Sequence, residues 1–147
     1  MPTPQRRHAA AALAVPLLAV ALASCSTTPA AELAVGDCLD AATLRDSGGM
    51  VGRVSVLDCG DEHDTEVVGV HDVVADDYPG PEELNAIAGE ECTAAFRDYV
   101  GVAYADSDLE LVPLIPSETG WGADDHRIVC LATAPEPVTE SFEGSGR

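Results

Sequence analysis

Four cysteines spread through the chain set the strongest limit on its fold. They are Cys38, Cys59, Cys92 and Cys130, and a fifth, Cys25, lies near the N-terminus. An even number of cysteines in an exported domain indicates disulfide bonds, and four cysteines allow three pairings. The sequence alone does not choose among them. We predict Cys38–Cys59 and Cys92–Cys130, because each pair joins neighbouring segments. Each would contribute roughly 3–4 kcal/mol in the chain-entropy model.

The first 24 residues are typical of a secretory signal peptide. Positions 6–8 are two arginines and a histidine, and an apolar run follows over 9–21. This run is short for a membrane span. Leu22-Ala23-Ser24-Cys25 then resembles the lipobox of bacterial lipoproteins, in which the cysteine carries a diacylglycerol and begins the mature chain. An ordinary signal peptide cut nearby, with the cysteine incidental, is the alternative.

Lipidation of Cys25 would attach the protein to the extracytoplasmic face of the cell membrane. Each buried CH₂ contributes about 0.8 kcal/mol, so two or more acyl chains hold a protein stably. We therefore predict a signal peptide over 1–24 and a lipidated cysteine with a short tether over 25–32. The domain itself is predicted over 33–142, with a tail over 143–147.

The chain is strongly acidic. It has 26 acidic and 7 basic residues, no lysine, and a formal net charge of −19. Nucleic acid is excluded as a partner because phosphate binding needs clustered lysine and arginine. Electrostatic docking on anionic lipid is excluded on the same ground, so the lipid anchor is the expected membrane contact. The hydrophobic content of 46% is too high for a disordered acidic chain.

One helix is well specified by the sequence. Pro81 suits a first helical turn, Glu82 and Glu83 complement the helix dipole, and Gly101 follows as a stop. Apolar residues at spacings of three and four form one stripe that includes Cys92. The stripe consists of Leu84, Ile87, Ala88, Cys92, Ala95, Phe96 and Tyr99.

The remaining pattern predicts strands. Valine-rich or alternating stretches cover 51–57, 67–74, 109–115 and 127–132, and 33–39 is a further strand edge or turn. Pro113 makes the 109–115 strand an edge or bulged strand. The polar residues from Ser141 onward are expected to fray. The sum is an α+β domain, a mostly antiparallel sheet of four or five strands with one main helix on a face.

The acidic stretch from Cys59 to Val67 is the first candidate for a site, and we expect it to be a loop. His63 with Asp64 or Glu66 is a potential metal ligand or general base, since a carboxylate orients an imidazole. The spacing lacks the i, i+4 pair of a helical zinc site, and no third ligand is near. We therefore favour a structural histidine, in a segment that the disulfide bond of Cys59 holds in place. A calcium site is disfavoured because the EF-hand spacing is absent.

Two residues outside this stretch complete the candidate binding or structural polar site. Arg127 is expected to pair with Glu66 or Asp64 and so to neutralise part of the acidic cluster. After residue 24 only five arginines are available to balance 26 acidic residues. Trp121 lies between two glycines and is either an exposed recognition anchor or a core residue that caps the sheet.

Catalysis has little support in the sequence. No serine lies in a Gly-x-Ser-x-Gly elbow, and the cysteines suit disulfides better than nucleophilic roles. We predict no catalytic residue, no metal and no cofactor, and hence a protein that is not an enzyme.

Several motifs in order resemble the actinobacterial septum-formation domain family. The resemblance spans nearly the whole chain after the tether. The motifs are Val35-Gly36-Asp37-Cys38, Asp58-Cys59, His63-Asp64-Thr65-Glu66-Val67, Tyr78-Pro79-Gly80, Cys92 before Phe96, Pro116-Ser117, Trp121, Arg127, Cys130-Leu131 and Ser141-Phe142-Glu143-Gly144. The chain departs from the family near Arg127, where Asp125-His126-Arg127 replaces a Gly-Asp-Arg.

The resemblance implies a membrane-attached, extracytoplasmic protein linked to cell division, and it implies no established enzymatic activity. The expected function is a lipid-anchored binding or scaffold module of the actinobacterial cell envelope, whose partner is an envelope or division protein. The alternative is an envelope sensor or ligand-binding domain that recognises a cation or cell-wall fragment near His63.

Overall fold

The computed structural model describes residues 27–45 and 52–147. The predicted signal peptide and Cys25, the predicted site of lipidation, lie outside the described residues. Across the described ranges, no helix is both long enough and apolar enough to cross a membrane.

Six strands and three α-helices make up the described part of the chain. Strands β2, β4, β6 and β5 form a four-stranded antiparallel sheet in that order, and β1 pairs with β3 in a second, two-stranded sheet. In chain order the elements are β1 (Thr27–Pro29), β2 (Cys38–Leu39), α1 (Ala41–Arg45), β3 (Arg53–Ser55), β4 (His63–Asp72), α2 (Pro81–Val100), β5 (Glu110–Leu114), α3 (Glu118–Trp121) and β6 (Arg127–Val138). The predicted α+β class is confirmed.

The main sheet buries both of its faces. Side chains alternate along β6, so Ile128 and Cys130 join the cluster beneath α2 while Val129 and Leu131 join a cluster on the other face. The second cluster also contains Val54 of β3. The two-stranded sheet therefore covers the face that the helix leaves open.

Helix α2 matches its prediction. It begins at Pro81, ends at Val100, and buries one side chain per turn from Leu84 onward. Gly101 caps it with φ of 93°, in the left-handed region that favours glycine, and donates its N–H to the carbonyl of Arg97.

Both predicted disulfides are confirmed. Cys38–Cys59 joins β2 to the turn before β4, and Cys92–Cys130 joins α2 to β6. The second bond crosses the core between helix and sheet.

The predicted loop from Cys59 to Glu66 is wrong in its second half, because β4 begins at His63. Glu66 pairs with Cys38 of β2 on one side and with Ala132 of β6 on the other. These ladder hydrogen bonds to distant strands extend the backbone where the local sequence, rich in carboxylates, disfavours a strand.

Part of the segment predicted as a tether, over 25–32, pairs with another strand. Residues 27–29 form β1 against β3, and Ala30 donates its N–H to Gly52. β5, by contrast, lies at the sheet edge as Pro113 predicts, since proline cannot donate to a second neighbour.

Gly69 sits where α2 approaches the sheet most closely. A Cβ placed there would lie 2.5 Å from the Cβ of Ala95, a distance that real side chains do not reach. The bulge between Val67 and Gly69 lies at the same point. Because Gly69 has no side chain, α2 packs closely against β4 at this point, beside the Cys92–Cys130 bond.

We expect Gly69→Ala to lower the free energy of unfolding by about 1–3 kcal/mol, because the helix must shift to admit the methyl group. Gly89→Ala is the matched control, since nothing lies within 4 Å of its added Cβ. That variant should be unchanged or stabilised by up to about 1 kcal/mol. Denaturant unfolding with the disulfides intact measures both. Equal stabilities for the two variants would contradict the close approach.

Candidate functional site

A buried carboxylate, Glu66, is the centre of the best-connected polar cluster in the described residues. Its side chain is 0% exposed. β4 carries it to the C-terminal end of α2, where the Tyr99 hydroxyl donates to Oε1 at 2.5 Å. The Ser141 hydroxyl donates to the same oxygen at 2.7 Å, and the Phe142 N–H donates to Oε2 at 2.5 Å. Each donor offsets part of the cost of burying the charge.

The last residues of the chain are held against this carboxylate, so the expectation that they fray is wrong. Phe142 is 0% exposed and belongs to the helix-side core. Gly144 and Gly146 donate their N–H groups to the carbonyls of Tyr99 and Val100, at 2.8 and 2.9 Å. These are carbonyls that the end of α2 would otherwise leave without a partner. We call residues 141–147, held in this way, the C-terminal clasp.

Arg147 reinforces the clasp at its end. Its guanidinium lies 3.4 Å from the Asp108 carboxylate and 5.8 Å from the centre of the Phe142 ring. Both contacts suit a cation. They are exposed and therefore weak individually.

His63 is buried beside the clasp, at 2% exposure. Nδ1 lies 2.9 Å from the Asp61 carbonyl, so it carries the proton and donates. The ring centre lies 6.0 Å from that of Phe142, and Nε2 has no hydrogen-bond partner among the described residues. The histidine therefore closes the turn before β4 and packs on the clasp.

Asp64 holds a different element. Its Oδ1 accepts the Ala41 N–H at 2.7 Å and the Thr65 hydroxyl at 3.0 Å. Ala41 begins α1, and the first N–H groups of a helix have no partner within it. Asp64 thus fixes the start of α1 against β4.

One group of potential metal ligands occurs in the described ranges. The sulfurs of Cys38 and Cys59 and a Glu66 oxygen lie within 4.8 Å of one another. The two sulfurs are bonded to each other, so they offer no thiolate to an ion. The arrangement is a disulfide packed beside a carboxylate.

Tyr99 connects α2 to the clasp. Burial, together with the hydrogen bond to Glu66, raises the pKa of its hydroxyl from about 10 to about 12. The hydroxyl therefore remains protonated, and donates to Glu66, at every physiological pH.

Arg127 and Trp121 lie outside this cluster. The expected pairing of Arg127 with Glu66 or Asp64 is wrong, because its Nη1 donates to the Ala31 carbonyl at 2.7 Å and its Nε faces Asp72 at 3.4 Å. The register between β4 and β6 explains why. It places Arg127 opposite Asp72, at the end of β4 far from Asp64 and Glu66.

Trp121 is a core residue, at 7% exposure, and not an exposed anchor. Its ring stacks on His126 at 3.9 Å and meets Tyr78 edge to face at 5.9 Å. Ser117 caps α3, the short helix that carries it.

Sequence reasoning missed the partners of Glu66. The sequence places Tyr99 on the apolar stripe, and Ser141 and Phe142 at the start of the segment expected to fray. The available signal was Phe142, because a large apolar side chain in an otherwise polar segment indicates a docked residue. No local pattern relates the segment to a carboxylate 75 residues earlier.

Comparison with known proteins identifies the family. Residues 35–147 match the family described as Septum formation, so the chain belongs to it. The match includes the whole clasp. No solved structure matches the chain.

Two relatives come from strains of Mycobacterium tuberculosis, and each is named an uncharacterized membrane protein. Each is 26% identical over 127 residues, which cover 79% of this chain. The same region is 27% of each relative, so the chain spans about a quarter of their length.

We expect Glu66→Gln to lower the free energy of unfolding by about 1.5–3 kcal/mol, because an amide replaces one charged acceptor with a donor. Glu136→Gln is the control, as Glu136 is exposed at the end of β6. Denaturant unfolding gives the stabilities, and hydrogen exchange of the Gly144 and Gly146 amides reports the clasp. Equal stability and exchange in the two variants would show that Glu66 does not hold the clasp.

Proposed function

We propose that this protein is a lipid-anchored, extracytoplasmic binding or scaffold module of the cell envelope, with a part in septum formation and cell division. The observation that carries the proposal is the pair of disulfides that staple β2 and α2 to their neighbours. Such bonds persist in oxidising compartments outside the cytoplasm. Residues 1–24, which resemble a signal peptide, would direct export. Cys25, at the end of the lipobox, would carry the lipid anchor.

The family supports the second part of the proposal. Its description is Septum formation, and the match covers residues 35–147. The relatives from Mycobacterium tuberculosis are named membrane proteins, in agreement with a place at the membrane. In this chain the membrane contact would be acyl chains on Cys25, with palmitate the expected type of acyl group.

We further propose that the module acts by binding and not by turnover. Two carboxylates of the acidic stretch are engaged within the protein, Glu66 with the clasp and Asp64 with α1. His63 donates to its own turn. These groups serve the fold, so the surface is left as the part that meets a partner.

The anchor is tested by Cys25→Ala in the native organism. Wild-type protein should fractionate with membranes, resist salt extraction, dissolve in detergent and incorporate labelled palmitate. Cys25→Ala should lose the label, since the acylated sulfur is gone. Ser24→Ala is the control and should keep the label and the membrane association, because the cysteine remains. A Cys25→Ala protein that keeps the label and resists salt as before would reject lipidation at this residue.

The septal role is tested by proximity labelling from the anchored protein. The labelling enzyme should be inserted between Asp76 and Asp77, which are exposed, because a fusion at Arg147 would disturb the clasp. Division-site proteins should be enriched relative to the same fusion carrying Cys25→Ala. Uniform labelling around the cell, unchanged by Cys25→Ala, would count against a septal role.

A further inference from the structure

A cavity of about 200 Å³ lies apart from the Glu66 cluster, between residues 30–31, the end of β5 and the start of β6. Most of its lining residues are of apolar type, including Ala31, Pro113, Ile115 and Val129, but polar atoms form more than half of its exposed wall. Two charged residues, Asp125 and Arg127, complete it. A cavity that combines apolar residues with a few convergent polar groups is a common form of a ligand site.

Arg127 has donor capacity that the protein does not use. Its Nη1 donates to the Ala31 carbonyl. Its Nε is buried 3.4 Å from the Asp72 carboxylate but has no hydrogen-bond partner, and Nη2 makes no hydrogen bond within the described residues. The side chain is 30% exposed, so it is reachable from the cavity and partly shielded from water. Arginine at such a site favours a carboxylate, to which it donates charge-assisted hydrogen bonds.

Asp125 adds an acceptor beside this donor. Its Oδ1 accepts the backbone N–H of Arg127 at 3.3 Å, and its Oδ2 makes no hydrogen bond in the described ranges. A ligand that offers only negative charge would be repelled by this carboxylate. The pair therefore suits a ligand with a carboxylate for Arg127 and an N–H for Asp125. The last residue of a peptide has both groups.

The size of the cavity limits the ligand further. Pockets that enclose drug-sized molecules measure roughly 300–1,000 Å³, and this one is smaller. One or two residues with small apolar side chains fit its volume and its walls.

We propose that this cavity binds the C-terminal carboxylate of a peptide that ends in alanine-sized residues. Such an end occurs in two sources, a protein C-terminus with L-residues and a cell-wall peptide with D-residues. The inference stands on the cavity itself, and only the cell-wall source rests on the proposed envelope function.

The test uses N-acetyl-dialanine in its L,L and D,D forms, each as the free acid and as the C-terminal amide. The protein is purified from membranes in detergent with its anchor in place, and binding is followed by ligand-observed NMR. At least one acid should bind saturably, and its amide about tenfold or more weakly, because the charged hydrogen bond is lost. Preference for L,L or D,D identifies the source. Equal binding of acid and amide, or no saturable binding of either acid, overturns the proposal.

Variants test the site itself. Arg127→Gln should weaken binding of the acid about tenfold or more. Arg97→Gln is the control of equal charge change, because Arg97 is exposed on α2 and pairs with Asp98. Arg127 also holds Ala31, so Ala30→Phe provides a second variant that fills the cavity and keeps the guanidinium. It should abolish binding without lowering the melting temperature. Full binding in Ala30→Phe overturns the assignment, whatever the folding of Arg127→Gln.

Failure here is distinguishable from failure of the proposed function. Lipidation is measured at Cys25 and septal labelling on the anchored fusion, and neither depends on the cavity. A protein that is anchored and septal but does not bind these peptides would lose only this inference.

Discussion

The burial of one carboxylate governs how this fold is closed. Glu66 lies on a central strand with no exposed surface, and a charge in that position is costly unless it is hydrogen-bonded. The donors come from the end of α2 and from the last segment of the chain. Burial of Glu66 therefore depends on the donors that the clasp provides. The same contacts bring Phe142 into the core. A leucine at position 66 would remove the charge and also the reason for the tail to return.

A second charged side chain, that of Arg127, holds the first described segment of the chain against the sheet. Arg127 lies on β6, the strand beside β4, and donates to the carbonyl of Ala31. The strands that carry Glu66 and Arg127 are paired to each other along most of their length. The first and last described segments are thus each fastened to the central strand pair by one ionisable side chain. The two disulfides fasten β2 and α2 to the same region.

The features that the sequence predicts best are local. Helix α2 follows from its stripe, its proline and its closing glycine, all within 21 residues. The disulfide pairing follows from the assumption that neighbouring segments are joined, which this topology satisfies. The contacts that prediction missed are distant in sequence: Glu66 with Phe142, Arg127 with Ala31, and β1 with β3. Charge counting paired Arg127 with the wrong acid because register, and not the abundance of carboxylates, decides which side chains meet.

The position of the Arg127 contact connects the proposed anchor to the proposed cavity. Residues 30 and 31 form part of the cavity wall and lie five and six residues after Cys25. A fully extended chain covers at most about 3.6 Å per residue, so an acylated Cys25 would keep the cavity within roughly 20 Å of the membrane surface. A ligand in that cavity would be one available close to the membrane. The net charge of −19 repels free anions and anionic headgroups within about a Debye length of the surface, roughly 8 Å at physiological salt. The hydrogen bonds from Arg127 must therefore offset this repulsion for any carboxylate that binds, whether the peptide is free or attached to the envelope.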